Sequence, residues 1–180
     1  MTDSAQVDAA ADEGAVGGGG MGAPAPRPCD SCPYRRDVPS GVWHAEEYEK
    51  LRLYDLDMAL QPQKLFQCHQ TDAGNEMRRM CAGWVGCHGP DLLGLRLALL
   101  SGRISEAVFE AAAEYRSPVP LFGSGSEAAD HGQAEIDCPG TDAAHVIDKI
   151  SRRRSDLART ASVNRPSRGR ICCGAAAAAA

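Results

Sequence analysis

Apolar residues recur at helical spacing in a few separated stretches of the chain and are sparse between them. Residues 45–59 contain no Pro or Gly and space Tyr48, Leu51 and Met58 near the helical period, which predicts an amphipathic helix stopped by Pro62. After Pro90 and Asp91 the run LLGLRLALL predicts a second helix, with Leu93, Leu97 and Leu100 on its inward face and Ser101-Gly102 as its stop. Ser105 is the expected N-cap of a third, through Val108, Phe109 and Ala112 to Tyr115, and so short a connection predicts an antiparallel pair. Residues 142–154 gather Ala143, Val146, Ile147 and Ile150 on one side, as a helix laid on a core would, with arginines at the favourable C-terminal end. Residues 124–135 allow a shorter helix. Residues 64–68 read as a short extended run, followed by a polar loop at 71–75 and a helical turn through Met77 and Met80. The expected fold is mainly α: a small metal-stabilised helical domain with a short extended segment, flanked by disordered tails.

Composition restricts where the core can form. Of the 180 residues 29 are alanine, and Leu, Ile, Val and Phe together number only 30, below the level of a wholly globular chain. Every aromatic residue falls between Tyr34 and Phe122. Residues 1–26, with Gly17 to Gly20 in a row and an Ala-Pro-Ala-Pro stretch, predict a disordered leader. Residues 27–122 then form the cysteine-rich domain, 123–154 a helical extension packed on it, and 155–180 a disordered Arg/Ala tail. A compact enzyme with a large core is excluded, and no apolar run approaches the roughly 18 residues of a membrane span.

The formal net charge of −5 argues against DNA binding by the protein as a whole. The exception is the stretch from Arg152 to Arg170, whose arginines offer non-specific phosphate contacts to a nucleic acid; a protein is the expected partner. The N-terminal MTDSAQVDAAADEG has neither the basic nor the apolar region of a secretory signal, so a cytoplasmic location is expected. In that compartment clustered cysteines read as metal-binding or redox-active rather than as a disulfide framework. Cys172-Cys173 is followed by alanines without a terminal lipid-attachment motif and reads as incidental.

Five cysteines follow the pattern C-x2-C-x35-C-x12-C-x5-C, and two carry an adjacent histidine, Cys68-His69 and Cys87-His88. Two residues between Cys29 and Cys32 let a tight turn aim both sulfurs at one ion. The hydrophobic strand and βαβ setting of a thioredoxin-like redox site are missing, so metal is the better reading. Four soft ligands suit tetrahedral zinc or an iron–sulfur cluster. The preferred set is Cys29, Cys32, Cys68 and Cys81, with Cys87, His69 and His88 as substitutes; several of these could equally be buried core cysteines. His44 reads as a plain helix-start residue. Arg35 and Arg36 either offset thiolate charge or face solvent, and Trp84 packs on the site or the core.

PCDSCPYRRDVPSGVW, FQCHQT and CAGWVGCHG, with LGLRLALLSGRI behind them, resemble an uncharacterised cysteine-rich domain family of actinobacteria and their phages. Its hallmarks are a CxxCP-type start, a Cys-His pair and a CAGW-type segment. The resemblance implies Cys29, Cys32, Cys68 and Cys81 as the family ligands, with Cys87 an addition, and implies no activity. CPYR near GVW is also similar to the iron–sulfur WhiB-like regulators, but the cysteine spacing and order differ and the Gly-Gly after the Trp is missing. Three readings follow: a zinc-stabilised interaction or regulatory protein, an iron–sulfur redox or gas sensor, and a metal- or thiol-dependent enzyme. No HExxH, Walker, dinucleotide or nucleophile-elbow motif supports the third.

Overall fold

The computed structural model describes residues 20–69 and 78–153. Among them the chain is mainly helical: α1 (Ala45–Arg52), α2 (Ala82–His88), α3 (Leu93–Leu100), α4 (Glu106–Ala113), α5 (Gly125–Gln133) and α6 (Thr141–Arg153). Among the described residues no helix is long and apolar enough to cross a membrane. The Arg/Ala tail, Cys172, Cys173 and the loop at 71–75 lie outside the described residues.

The helix expected over 45–59 stops at Arg52 and gives way to two 3-10 turns, Leu53–Asp55 and Met58–Leu60. Side chains hold these turns. The Gln61 amide donates to the carbonyls of Tyr54 (3.2 Å) and Leu56 (3.0 Å), while Asp55 accepts from the backbone N–H groups of Gly125 (2.8 Å) and Ser126 (2.6 Å) that open α5. Satisfying the free N–H groups of α5 in this way outweighs another turn of α1. Ser105 caps α4 as its sequence predicts, accepting from Val108 N–H at 3.3 Å.

The extended segments form a small ladder. Gln67 bridges Met80 antiparallel, with Cys68 N–H on the Arg79 carbonyl and Cys81 N–H on the Phe66 carbonyl, both at 2.8 Å. On the other side Gly22 bridges Arg79 in parallel. Met80 is therefore extended, not part of a helical turn, and the helix begins two residues later at Ala82. Gly83, Gly86 and Gly89 weaken the helical signal of that stretch. The pairing also orders residues from Gly22 onward: Ala25 N–H reaches the Met80 carbonyl and Met21 packs on the core, so the folded part starts before Arg27.

At α3 the buried residues are the N-cap Leu92 and, within the helix, Gly94, Leu95 and Ala98, whereas Leu93 and Leu97 are half-buried and Leu100 is 83% exposed. A run so rich in leucine can bury any face, and the small residues decide which. A Cβ on Gly94 would stand 2.6 Å from the Lys64 carbonyl oxygen, so α3 turns Gly94 and its neighbours toward that segment.

The same rule governs α5, whose buried face is Gly125, Ala128, Ala129 and Gly132. This face meets α1 so closely that a Cβ on Gly132 would lie 1.9 Å from Tyr48 Cε1. Ala128 and Ala129 belong to the main core with Tyr34, Tyr48, Leu51, Trp84 and Leu95, so α5 packs directly into that core. A second, smaller cluster joins Val38, Val42 and Ala143 to Val146, Ile147 and Ile150, the face expected of α6. Gly132→Ala should overpack the α1/α5 contact and cost about 3 kcal/mol, at the upper end for an inserted methyl group. Chemical denaturation of the two proteins checks this, with Ala134→Gly in the exposed last turn as the mild control.

Candidate functional site

The Cys29–Cys32 segment is a hydrogen-bonded turn, with Cys32 N–H on the Cys29 carbonyl at 3.0 Å. Arg35 wraps back over it: its Nη1 donates to the Cys29 carbonyl at 3.3 Å, and its charge is taken up by Asp30 and Asp37. That arginine braces the turn instead of facing solvent. Arg36 lies over the Phe122 ring, 5.8 Å from its centroid, as a cation–π contact.

Cys81 caps the start of α2, and the turn docks there. Cys32 is fully buried, and a Cβ on Gly83 would stand 2.2 Å from its sulfur, so only glycine admits Cys32 at this place. Hydrogen bonding with Cys29 and Cys81, together with burial, pushes the Cys32 thiol up. The same bonding holds Cys29 and Cys81 down against their own burial, helped at Cys29 by His69 and the Ser31 N–H and at Cys81 by the Trp84 N–H. Cys29 and Cys81 therefore ionise more readily than Cys32, which keeps its proton.

His69 completes the group. Its Nε2 lies 3.2 Å from Cys29 Sγ and 3.1 Å from Ser31 Oγ. Trp43 covers the imidazole edge-on at a centroid distance of 4.8 Å and donates its indole N–H to the Ser31 carbonyl at 2.8 Å. Cys68 is buried beside His69, and the ladder register sets it on the same face as Cys81, one diagonal step away. The contacts run as a chain, His69 to Cys29 to Cys32 to Cys81. Among the described residues no group of three or more His, Cys, Asp or Glu side chains is arranged to hold a metal ion as it stands. Ser31, Trp43 and Gly83 were not singled out from sequence; only their place inside the PCDSCPYRRDVPSGVW and CAGWVGCHG segments hinted at a role.

Other candidates have different partners. His88 accepts or donates at the Tyr34 hydroxyl (3.2 Å) through Nε2 and faces Asp55 at 3.6 Å through Nδ1. Cys87, at the same end of α2, has its thiol pushed up to about 12 by burial and by Asp55 and Glu127. His44 precedes α1 without a side-chain cap bond. Trp84 is fully buried against Tyr54 and Phe66, so it belongs to the core. All five cysteines from Cys29 to Cys87 are free, whereas Cys138 is disulfide-bonded.

A family model described as a family of unknown function, DUF6283, matches residues 24–154, well over half of the chain. The chain belongs to DUF6283. The DUF6283 match begins among the residues that pair with the 78–80 strand and ends with α6, so it spans the described fold. No curated protein and no solved structure matches the chain.

Within the DUF6283 domain, His88 makes stability depend on pH. Burial lowers its pKa from 6.5, against a smaller opposing effect of Asp55. The neutral form is therefore favoured by folding, and its contribution is full above 6.5 and is lost as pH falls through the lower folded value. Denaturation midpoints measured from pH 7.5 downward should fall on acidification, and His88→Gln should flatten the part of the slope just below pH 6.5. Asp55, whose pKa is lowered from 3.8, acts only in more acidic solution.

Proposed function

We propose that this DUF6283 domain is a small zinc-stabilised interaction or regulatory module, held by Cys29, Cys32, Cys81 and a fourth donor from the Cys68-His69 pair. The observation that carries this reading is the His69–Cys29 contact of 3.2 Å, beside the fully buried Cys32 docked on the start of α2 next to Cys81. Zinc–sulfur and zinc–nitrogen bonds of about 2.3 and 2.0 Å at a tetrahedral angle set those donor atoms roughly 3.5 Å apart. The distance therefore needs only a few tenths of an ångström of adjustment, and it favours His69 as the fourth donor. Cys81 then has to swing toward Cys29 to turn the chain of contacts into a shell. The CxxCP, Cys-His and CAGW segments supply every one of these donors, which supports reading them as the family signature. A cytoplasmic setting and a protein partner complete the proposal.

The position of Cys68 on the ladder face shared with Cys81 favours a second reading, an all-cysteine iron–sulfur site with a redox or gas-sensing role. A thiol enzyme built on Cys87 and His88 is disfavoured, since the Cys87 thiol is held protonated and His88 is engaged by Tyr34 and Asp55. Anaerobic purification followed by elemental analysis separates the two metal readings. The zinc site gives a colourless protein with one zinc per chain, which Cys32→Ser loses and Cys87→Ser keeps. A brown protein containing iron and sulfide would replace zinc by the cluster, and a protein free of both metals would overturn both readings.

A further inference from the structure

We propose that α6 is a hinged strap whose docked position holds Trp43 over His69 and so governs how readily that corner of the cysteine group opens. The proposal rests on the zinc reading for one consequence only, the rate at which a bound ion is lost.

The hinge follows from the backbone around Gly41. Gly41 N–H donates to the Gly132 carbonyl at 2.8 Å, and a Cβ on Gly41 would stand 2.7 Å from the Glu135 carbonyl oxygen and 3.1 Å from the Pro139 ring. The segment leaving α5 is thus seated against this loop as far as Pro139. Gly140 follows, where a Cβ would meet nothing nearer than the Glu135 carboxylate at 3.8 Å, and α6 begins at Thr141. A glycine without close neighbours, between a seated segment and a helix, is where the backbone can turn.

Beyond the hinge α6 is held lightly. Its buried residue is Ala143, next to Gly140, while Val146, Ile147 and Ile150 are half-buried against Val38 and Val42 in a cluster separate from the main core. Toward the far end the tie is Lys149 to Asp30 at 3.5 Å, an exposed ion pair of the kind that contributes little. An element with so few buried apolar contacts opens locally at lower free energy than the core.

Both attachments lead to the cysteine group. Asp30 lies in the turn between Cys29 and Ser31. Trp43 packs on the Val38, Val42 and Ala143 cluster as well as on the main core. Its indole N–H donates to the Ser31 carbonyl at 2.8 Å, its backbone N–H to the Tyr48 hydroxyl at 3.2 Å, and its ring covers His69 at 4.8 Å. When α6 swings out about Gly140, the loop that carries Trp43 loses its cover and the Cys29–Cys32 turn loses Lys149.

Hydrogen–deuterium exchange of the full-length protein, read peptide by peptide in wild type and Ile147→Asp, tests this. In the wild type, amides of 141–153 should exchange faster than those of α1 and α5. Ile147→Asp removes a half-buried apolar side chain and should speed exchange in 141–153 about tenfold. The gain should extend to Trp43 and to segments 29–32 and 66–69, while α1 and α5 keep their wild-type protection. Ile147→Ala should give the same pattern at smaller amplitude and serves if the Asp variant does not fold; His145→Gln, on the exposed face, should change nothing. Loss of protection in α1 and α5 together with α6 would overturn the strap, and a loosened α6 with 29–32 and 66–69 unchanged would overturn its hold on the site. In zinc-loaded protein the chelator should remove the ion faster from Ile147→Asp. Protein that shows the exchange pattern but takes up no zinc would leave the strap standing and count against the zinc reading alone.

Discussion

The docking of a buried sulfur against a glycine is the constraint on which the rest of the structure depends. Cys32 occupies the volume that a side chain at position 83 would need, so the CxxC turn and the first turn of α2 cannot be moved apart without opening a hole, or closer without a clash. From that junction the other elements follow. Cys81 leads directly into the 79–80 bridges and so fixes the ladder, while Tyr34, two residues past Cys32, accepts Phe122 N–H on its carbonyl at 2.9 Å and brings the chain before α5 alongside.

The other end of α2 is tied to the same loop. Tyr34 meets His88, His88 faces Asp55, and Asp55 caps α5 through two backbone N–H groups. A polar chain thus crosses from the CxxC segment to the helix pair α1/α5, beside an aromatic cluster of Tyr54, Phe66 and Trp84. Within it the Trp84 indole N–H has no hydrogen-bond partner among the described residues, a cost the core tolerates in exchange for the volume of the ring. Small residues make this packing possible. Gly83, Gly94, Gly125 and Gly132 each stand where a Cβ would meet a neighbour at less than 3.0 Å, which is how a chain poor in large aliphatics reaches close packing.

Sequence periodicity revealed the helices that have one apolar and one polar face, as α6 does with Ala143, Val146, Ile147 and Ile150. It misjudged elements whose burial is set by the absence of side chains. In α3 the leucines at 93, 97 and 100 are the right spacing and the wrong face, because Gly94 and Ala98 decide the approach. In α2 two glycines, Gly83 and Gly86, masked the helix; in α5 the shorter helix expected over 124–135 is present, but its packing surface carries no large residue to show which face is buried. Met80 looked helical because its extended state comes from pairing with residues remote in sequence, Gly22 and Gln67. At the site, spacing brought Cys29, Cys32 and Cys81 into view, since soft donors are legible by type. The supporting parts were less legible: Ser31 and Trp43 act through contacts that only the folded loop creates, and Arg35, singled out beside the turn, braces the Cys29 carbonyl in a way its sequence position left open.

A core of this size leaves a modest margin of stability, and a structural zinc can contribute on the order of 10 kcal/mol of folding free energy in small peptides. Three thiols and an imidazole drawn from segments 29–32, 68–69 and the start of α2 would give one ion control over the junction on which the fold depends. The most direct measurement is thermal unfolding of the full-length protein, followed by far-UV circular dichroism, before and after zinc removal by a chelator in the presence of reductant. Loss of the cooperative transition at the original temperature, restored by adding zinc, is the predicted result. An unchanged transition in protein verified to be metal-free would contradict the account.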